Sequence, residues 1–230
     1  MSRSASSWVS RLIPRPRSLG VVALILASAA PIAAQYSDPL TVALGRLDPN
    51  NRFAIEVLMD SARALGLPDA PLRSRVLQGV QLKADARRIV EAVRRKFGYL
   101  KTARSVLGPV GNEELDAGAA VLEAGAKPTQ LQAFKTRQKG REALEAFTVW
   151  ADLITRGVPG EEASSAISKL WQDGADDATF HSLWNNVQAD ISQGLNPGAA
   201  LQNRIRETPA RAAPPKPTPP AGQQENQRSS

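Results

Sequence analysis

The feature that most constrains the fold is a series of glycines, each of which follows an apolar helical segment and precedes another. An Ala, Val or Leu comes directly after each glycine, then a polar or Pro-containing stretch, and then the next apolar residue. A glycine in the left-handed conformation beside an apolar residue is typical of a Schellman-type helix stop. We therefore predict helix ends at Gly66, Gly79, Gly125, Gly157, Gly174 and Gly194.

The segments between these glycines show helical spacing of apolar residues and no convincing strand pattern. Asp38-Pro39 and Asp48-Pro49 each place a capping acid before a proline at the first helical position, which is typical of a helix start. The glycine spacing varies, which argues against a solenoid with one repeat length. We predict an all-α fold, a compact stack of short helices and helical hairpins. Helices are expected near residues 39–46, 49–65, 69–78, 83–106, 113–124, 128–137, 140–156, 160–172, 176–192 and 197–206.

The first 34 residues have the organisation of a secretory signal peptide. Residues 1–18 are polar and basic, and the apolar stretch 19–34 is interrupted by Pro31, whereas a membrane-spanning helix needs about 20 apolar residues. We expect cleavage after Ala34, with Ala29 as a second candidate site, and an exported protein that is periplasmic or extracellular. An uncleaved N-terminal anchor remains the alternative.

The C-terminal segment 207–230 is rich in proline and has no large apolar residue to bury. Such a segment is expected to stay disordered and extended where proline is dense. The sequence thus predicts three parts: a signal peptide (1–34), an α-helical domain (35–206) and a disordered Pro-rich tail (207–230).

Charge and cysteine content exclude several classes of function. The formal net charge is +7, but four of the 29 basic residues lie in the first 34 positions, which leaves 25 basic against 22 acidic residues in the remainder. Such a nearly neutral remainder has no global attraction for a polyanion, so we expect no nucleic-acid partner. Cysteine is absent, which excludes disulfides and thiolate chemistry.

One predicted helix, 83–106, combines an apolar stripe with a cationic face. A solvated face is the simpler interpretation. The alternative is a surface for an anionic partner, such as phospholipid headgroups or an acidic protein. The residues of this face are Arg87, Arg88, Arg94, Arg95 and Lys101.

Asp177 and His181 are the residues most suited to acid–base chemistry, because they lie four apart on a predicted helix. Acids near a helix start also complement the helix dipole, and His181 is the single histidine of the chain. We therefore assign no catalytic residue, metal or cofactor, and keep this pair as an acid–base alternative.

Trp150, Trp171 and Trp184 fall on the apolar sides of their helices. Core packing is the expected role, and a ligand groove lined by indoles is the alternative.

The hypothesis that best fits this sequence is an exported α-helical interaction or scaffold protein whose partner is a protein or another envelope component. Stacked helices provide grooves that suit such partners. The alternatives are a cell-envelope hydrolase that uses carboxylates and His181, and peripheral binding of an anionic membrane surface through the basic helix.

Overall fold

The protein is described from a computed structural model, which describes residues 38–138 and 140–207. The predicted signal peptide (1–34) and the tail from residue 208 onward lie outside the described residues. Glu207, which the sequence analysis assigned to the tail, is instead the last residue of a helix.

Ten α-helices and no strand occur in these two ranges, so the all-α prediction is confirmed. The helix starts lie within one residue of the predictions except for the fourth helix, which begins three residues later than predicted, and the seventh, which begins four residues later. The helices are α1 (Pro39–Leu44), α2 (Pro49–Ala64), α3 (Ala70–Gln81), α4 (Ala86–Leu107), α5 (Asn112–Ala124), α6 (Pro128–Lys135), α7 (Leu144–Thr155), α8 (Gly160–Gln172), α9 (Asp177–Ser192) and α10 (Pro197–Glu207).

The helices pack closely on one another. α4 contacts α2, α3, α5 and α6, and from α5 the contacts continue to α7, then to α9 and then to α10. α8 packs against α7 and α10. The core is aliphatic in α1–α5, and an aromatic cluster lies where α6–α9 meet. In this cluster Phe134 is the centre, with ring centroids 5.1 Å from Phe147, 6.0 Å from Trp150 and 5.2 Å from Trp171.

The predicted core role of the tryptophans is confirmed for Trp150 and Trp171, both of which are buried. Trp184 is half-buried and packs against the edge of the core. Arg156 lies over its ring, 5.7 Å from the centroid.

Five of the six predicted glycine stops have positive φ: Gly66, Gly125, Gly157, Gly174 and Gly194. Gly157 shows the Schellman pattern: its own N–H donates to the Ile154 carbonyl, and the next N–H, of Val158, donates to the Leu153 carbonyl. The apolar residue after the glycine, Val158, is buried as the motif requires.

The prediction for Gly79 is wrong, because this residue lies inside α3. A Cβ at this position would lie 2.7 Å from Cγ1 of Ile89 on α4, so the glycine permits close packing of the two helices. The helix stop is formed instead by Lys83, whose φ is 54°. The N–H of Ala84 completes it by donating to the Gly79 carbonyl.

The start of α7 also differs from the prediction, because this helix begins at Leu144 and not at residue 140. Gly140 has a φ of 77°, which an α-helix cannot contain. The connection between α6 and α7 is therefore longer than predicted, and it forms part of the candidate site described below.

None of the helices in the described ranges is long and apolar enough to cross a membrane.

Candidate functional site

The five cationic residues predicted for the helix 83–106 all lie on the exposed side of α4. Arg94 pairs with Glu91 at 3.6 Å, and both of these side chains are largely exposed. Lys101 Nζ lies 5.6 Å from the centroid of the Phe97 ring. The other three residues, Arg87, Arg88 and Arg95, form no ion pair with the described residues. The predicted division of α4 into a core face and a cationic face is thus present.

Asp177 and His181 lie on the first two turns of α9, and both are exposed. Nδ1 of His181 lies 3.4 Å from a carboxylate oxygen of Glu145 on α7, which is long for a hydrogen bond. No bond joins Asp177 to His181 in the part of the chain that the structure describes. Within that part, no three His, Asp or Glu side chains are placed to hold a metal ion.

A charge cluster around the buried Lys96, which the sequence pattern does not predict, joins α3, α4 and α5. The side chain of Lys96 is 6% exposed, and its Nζ lies 2.7 Å from Oδ1 of Asp116 and 3.6 Å from Oε2 of Glu123. Arg75 of α3 reaches the other oxygen of Glu123 at 2.6 Å. Because each charge has an opposite partner, we interpret this cluster as an ionic link between helices and not as a ligand site.

A cavity lies between the α6–α7 connection and the C-terminal end of α8. Its volume is about 570 Å³, within the range of about 300 to 1,000 Å³ that is usual for ligand sites. It is open to solvent. We call it the Arg141 cleft, and its lining residues are Thr136, Arg137, Gln138, Arg141, Trp171 and Gln172.

The α6–α7 connection is held in place by a buried carboxylate. Glu114, in the first turn of α5, accepts hydrogen bonds from the side-chain amide of Gln138 at 2.5 Å and from the N–H of Ala143 at 3.2 Å. The same amide nitrogen of Gln138 donates to the Arg141 carbonyl at 2.8 Å. Both Glu114 and Gln138 are buried. The wall of the cleft is therefore tied to the domain core.

Arg141 forms a flat cationic surface on top of Trp171. Its guanidinium carbon lies 3.6 Å from the centroid of the indole ring, which is a close cation–π stack. Nη2 of Arg141 donates to the carbonyl of Ala175 at 2.6 Å. These two contacts fix the plane of the guanidinium, and a planar guanidinium can bind a carboxylate or phosphate through two parallel hydrogen bonds.

A second cavity of about 290 Å³ continues from the Arg141 cleft along α8, sharing Arg137 and Gln172 with it. We call it the serine cavity, because its other lining residues are Ser164, Ser165, Ser168, Lys169 and Asp173. Lys169 and Asp173 pair with each other at 2.6 Å. The remaining wall is made of neutral hydroxyl and amide groups next to the two arginines.

This site is not among the sequence-based predictions, although the sequence contains a signal for it. Between α6 and α7 the chain reads KTRQKGR, in which every second residue from Lys135 to Arg141 is basic. The predicted helices 128–137 and 140–156 include most of this run, whereas in the structure the segment after Lys135 connects α6 to α7. The serines and Gln172 of α8 lie about 30 residues further on, so only the packing of α8 shows that they face the same cavity.

Comparison with known proteins adds no relative to this description. No family model matches the chain, and neither a curated protein nor a solved structure matches it.

Proposed function

We propose that this chain is an exported, non-enzymatic interaction module that binds a segment of a partner protein in the Arg141 cleft. Export is proposed because residues 1–34 consist of a polar, basic segment followed by an apolar stretch that ends at the expected cleavage site, as in a secretory signal peptide. The observation that carries the binding proposal is the cleft itself, an open cavity with a fixed cationic wall.

The composition of the walls supports binding of a polypeptide. Arginine and tryptophan are among the residue types enriched at the positions that dominate protein–protein binding energy, and here Arg141 lies directly on Trp171. The amide of Gln172 and the hydroxyls of the serine cavity extend the polar surface along α8. Such groups can pair with the backbone amides of an extended segment.

The fixed position of the wall also supports this function. The α6–α7 connection is anchored by Glu114, and Arg141 is held by Trp171 and by Ala175. A site whose side chains are already ordered loses less conformational entropy when a partner binds.

Site-specific photocrosslinking in the producing cell tests this function. A photoreactive amino acid placed at Gln172, in the cleft, is expected to form an adduct with a partner protein of the envelope fraction. Gln81 is the matched control, because it is an exposed glutamine at the end of α3 and is not part of the cleft. The proposal fails if Gln172 gives no adduct, or if the same adducts form from Gln81.

A further inference from the structure

We infer that the Arg141 cleft recognises an acidic peptide segment, and that a carboxylate of this segment binds to the guanidinium of Arg141. This inference rests on the proposed function, because it specifies the chemistry of the partner segment that occupies the same cleft.

The charge of the cleft favours an anionic ligand. Arg137 and Arg141 both line it, and neither forms an ion pair with the described residues. None of the six lining residues that the structure describes is acidic. The two positive charges are therefore not neutralised within this part of the protein.

The acidic residues around these walls are already bonded to other groups. Glu114 accepts hydrogen bonds from Gln138 and from the Ala143 backbone, on the buried side of the connection. Asp173 pairs with Lys169 in the serine cavity. Asp176 caps α9 by accepting from the backbone and hydroxyl of Thr179. Glu114 and Asp173 are thus each bonded to a group other than Arg141.

Arg141 is arranged to bind a planar oxyanion. An arginine carries five N–H donors, and the single hydrogen bond found for this side chain in the described structure is the one to Ala175. The stack on Trp171 holds the guanidinium plane in one orientation. A carboxylate can therefore form a two-point contact without the arginine side chain having to become ordered first.

The open shape of the cleft favours a peptide over a small free anion. A single ion pair exposed to water contributes little to binding, so an isolated small anion gains little here. A peptide adds contacts with the hydroxyls of Ser164, Ser165 and Ser168 along the serine cavity. Arg137, which lines both cavities, is placed to meet a second acidic group of the same segment.

Calorimetric titration of the full chain at low salt with an acetylated hexaglutamate peptide tests the inference. Hexaglutamate is expected to bind and hexaglutamine is not. Arg141→Gln should weaken binding several-fold, because it removes both the positive charge and the planar pair of donors. Arg141→Lys should also weaken it, because lysine keeps the charge but lacks the planar pair of donors.

Two further variants separate binding from folding. Arg137→Gln should weaken binding several-fold without affecting the fold, because the Arg137 side chain is exposed and has no hydrogen bond in the described structure. Arg87→Gln is the matched control and should leave binding unchanged, because Arg87 is an exposed arginine on α4 that forms no ion pair with the described residues. Circular dichroism melts of each variant check that the fold is intact.

Three outcomes would overturn the inference. The first is equal affinity for hexaglutamate and hexaglutamine. The second is that Arg87→Gln and Arg141→Gln weaken the affinity for hexaglutamate equally. The third is that inorganic phosphate or free glutamate binds as tightly as hexaglutamate. The last result would indicate a small-anion site. A Gln172 adduct obtained without any hexaglutamate binding would leave the proposed function standing and reject the acidic specificity alone.

Discussion

Arg204 of α10 holds the carboxylate of Asp190 on α9 through two parallel hydrogen bonds, with Nε 2.7 Å from Oδ2 and Nη2 2.6 Å from Oδ1. Asp190 is 6% exposed, so the pair lies at the packed junction of the last two helices. The hydrogen bonds from Arg204 lower the pKa of Asp190 below its ordinary value of 3.8, although burial acts in the opposite direction. The same contact raises the pKa of the Arg204 guanidinium.

This pair predicts an acid-sensitive contribution to stability. Because the folded pKa of Asp190 is lowered, the contribution is present above the unfolded pKa of 3.8 and is lost as the pH falls through the folded value. Asp190→Asn should therefore lower the melting temperature clearly at pH 7, and the gap to the wild type should narrow at about pH 2.5. Thermal unfolding followed by circular dichroism measures both gaps.

Asp60→Asn is the matched control for this experiment, since Asp60 pairs with Arg63 on the exposed surface of α2. Exposed pairs contribute little to stability, so the control should melt close to the wild type at both pH values. If the difference in melting temperature between Asp190→Asn and the wild type is as large in acid as at pH 7, the charge on Asp190 is not the cause of that difference.

Gly157 provides a test of the helix stops. Its φ of 93° is unfavourable for residues with a Cβ, and a β-branched side chain is among the worst choices. Gly157→Val should lower the free energy of unfolding by about 1–2 kcal/mol, as measured by urea denaturation.

Gly160→Val is the control for Gly157→Val. Gly160 is the first residue of α8, does not have positive φ, and has open space where the Cβ of another residue would lie. Gly160→Val should change the free energy of unfolding by no more than about 0.5 kcal/mol. Equal effects of the two substitutions would mean that the left-handed conformation of Gly157 is not what ends α7.

The cationic face of α4 is expected to serve solubility. Arg94 has a weak exposed pair with Glu91, and Lys101 has a distant contact with the Phe97 ring. Changing Arg87, Arg94 and Lys101 together to Gln should therefore alter stability by only a few tenths of a kcal/mol per site. Urea denaturation and sedimentation with phosphatidylglycerol vesicles check this, and we expect no salt-sensitive vesicle binding by the wild type.

The membrane alternative for α4 makes the opposite prediction for the vesicle experiment. If this face binds a membrane, the wild type should sediment with anionic vesicles and the triple variant should not. Binding should also weaken as salt rises, because exposed charges are screened over about 10 Å at 0.1 M ionic strength. That result would replace the solubility interpretation of α4.

The regions that the sequence predicts well are those whose structure depends on interactions between residues close together in the chain. Asp48 accepts a hydrogen bond from the N–H of Asn51, three residues away, so this cap can be read from a short window. The stop at Gly157 likewise depends on one φ angle and on two hydrogen bonds within its own last turn. The spacing of apolar residues similarly predicts which face of α4 is buried.

The errors occur where packing between distant segments decides the outcome. Gly79 has the local pattern of a helix stop, but it lies inside α3 and packs closely against Ile89 of α4, and Lys83 takes the left-handed conformation. Lys96 belongs to a basic run in the sequence, yet its charge is buried because Asp116 and Glu123 meet it from α5. No local pattern contains these partners.

The all-α character of the described residues, most helix starts and five of the glycine stops can be predicted from the sequence alone. These features depend on backbone hydrogen bonds and φ preferences over a few residues. The candidate site, in contrast, depends on tertiary packing. Arg141 gains its fixed position from Trp171 and Ala175, which lie 30 or more residues away. The Arg141 cleft exists because helix packing brings these separate segments together, and a pattern read along the chain does not contain that information.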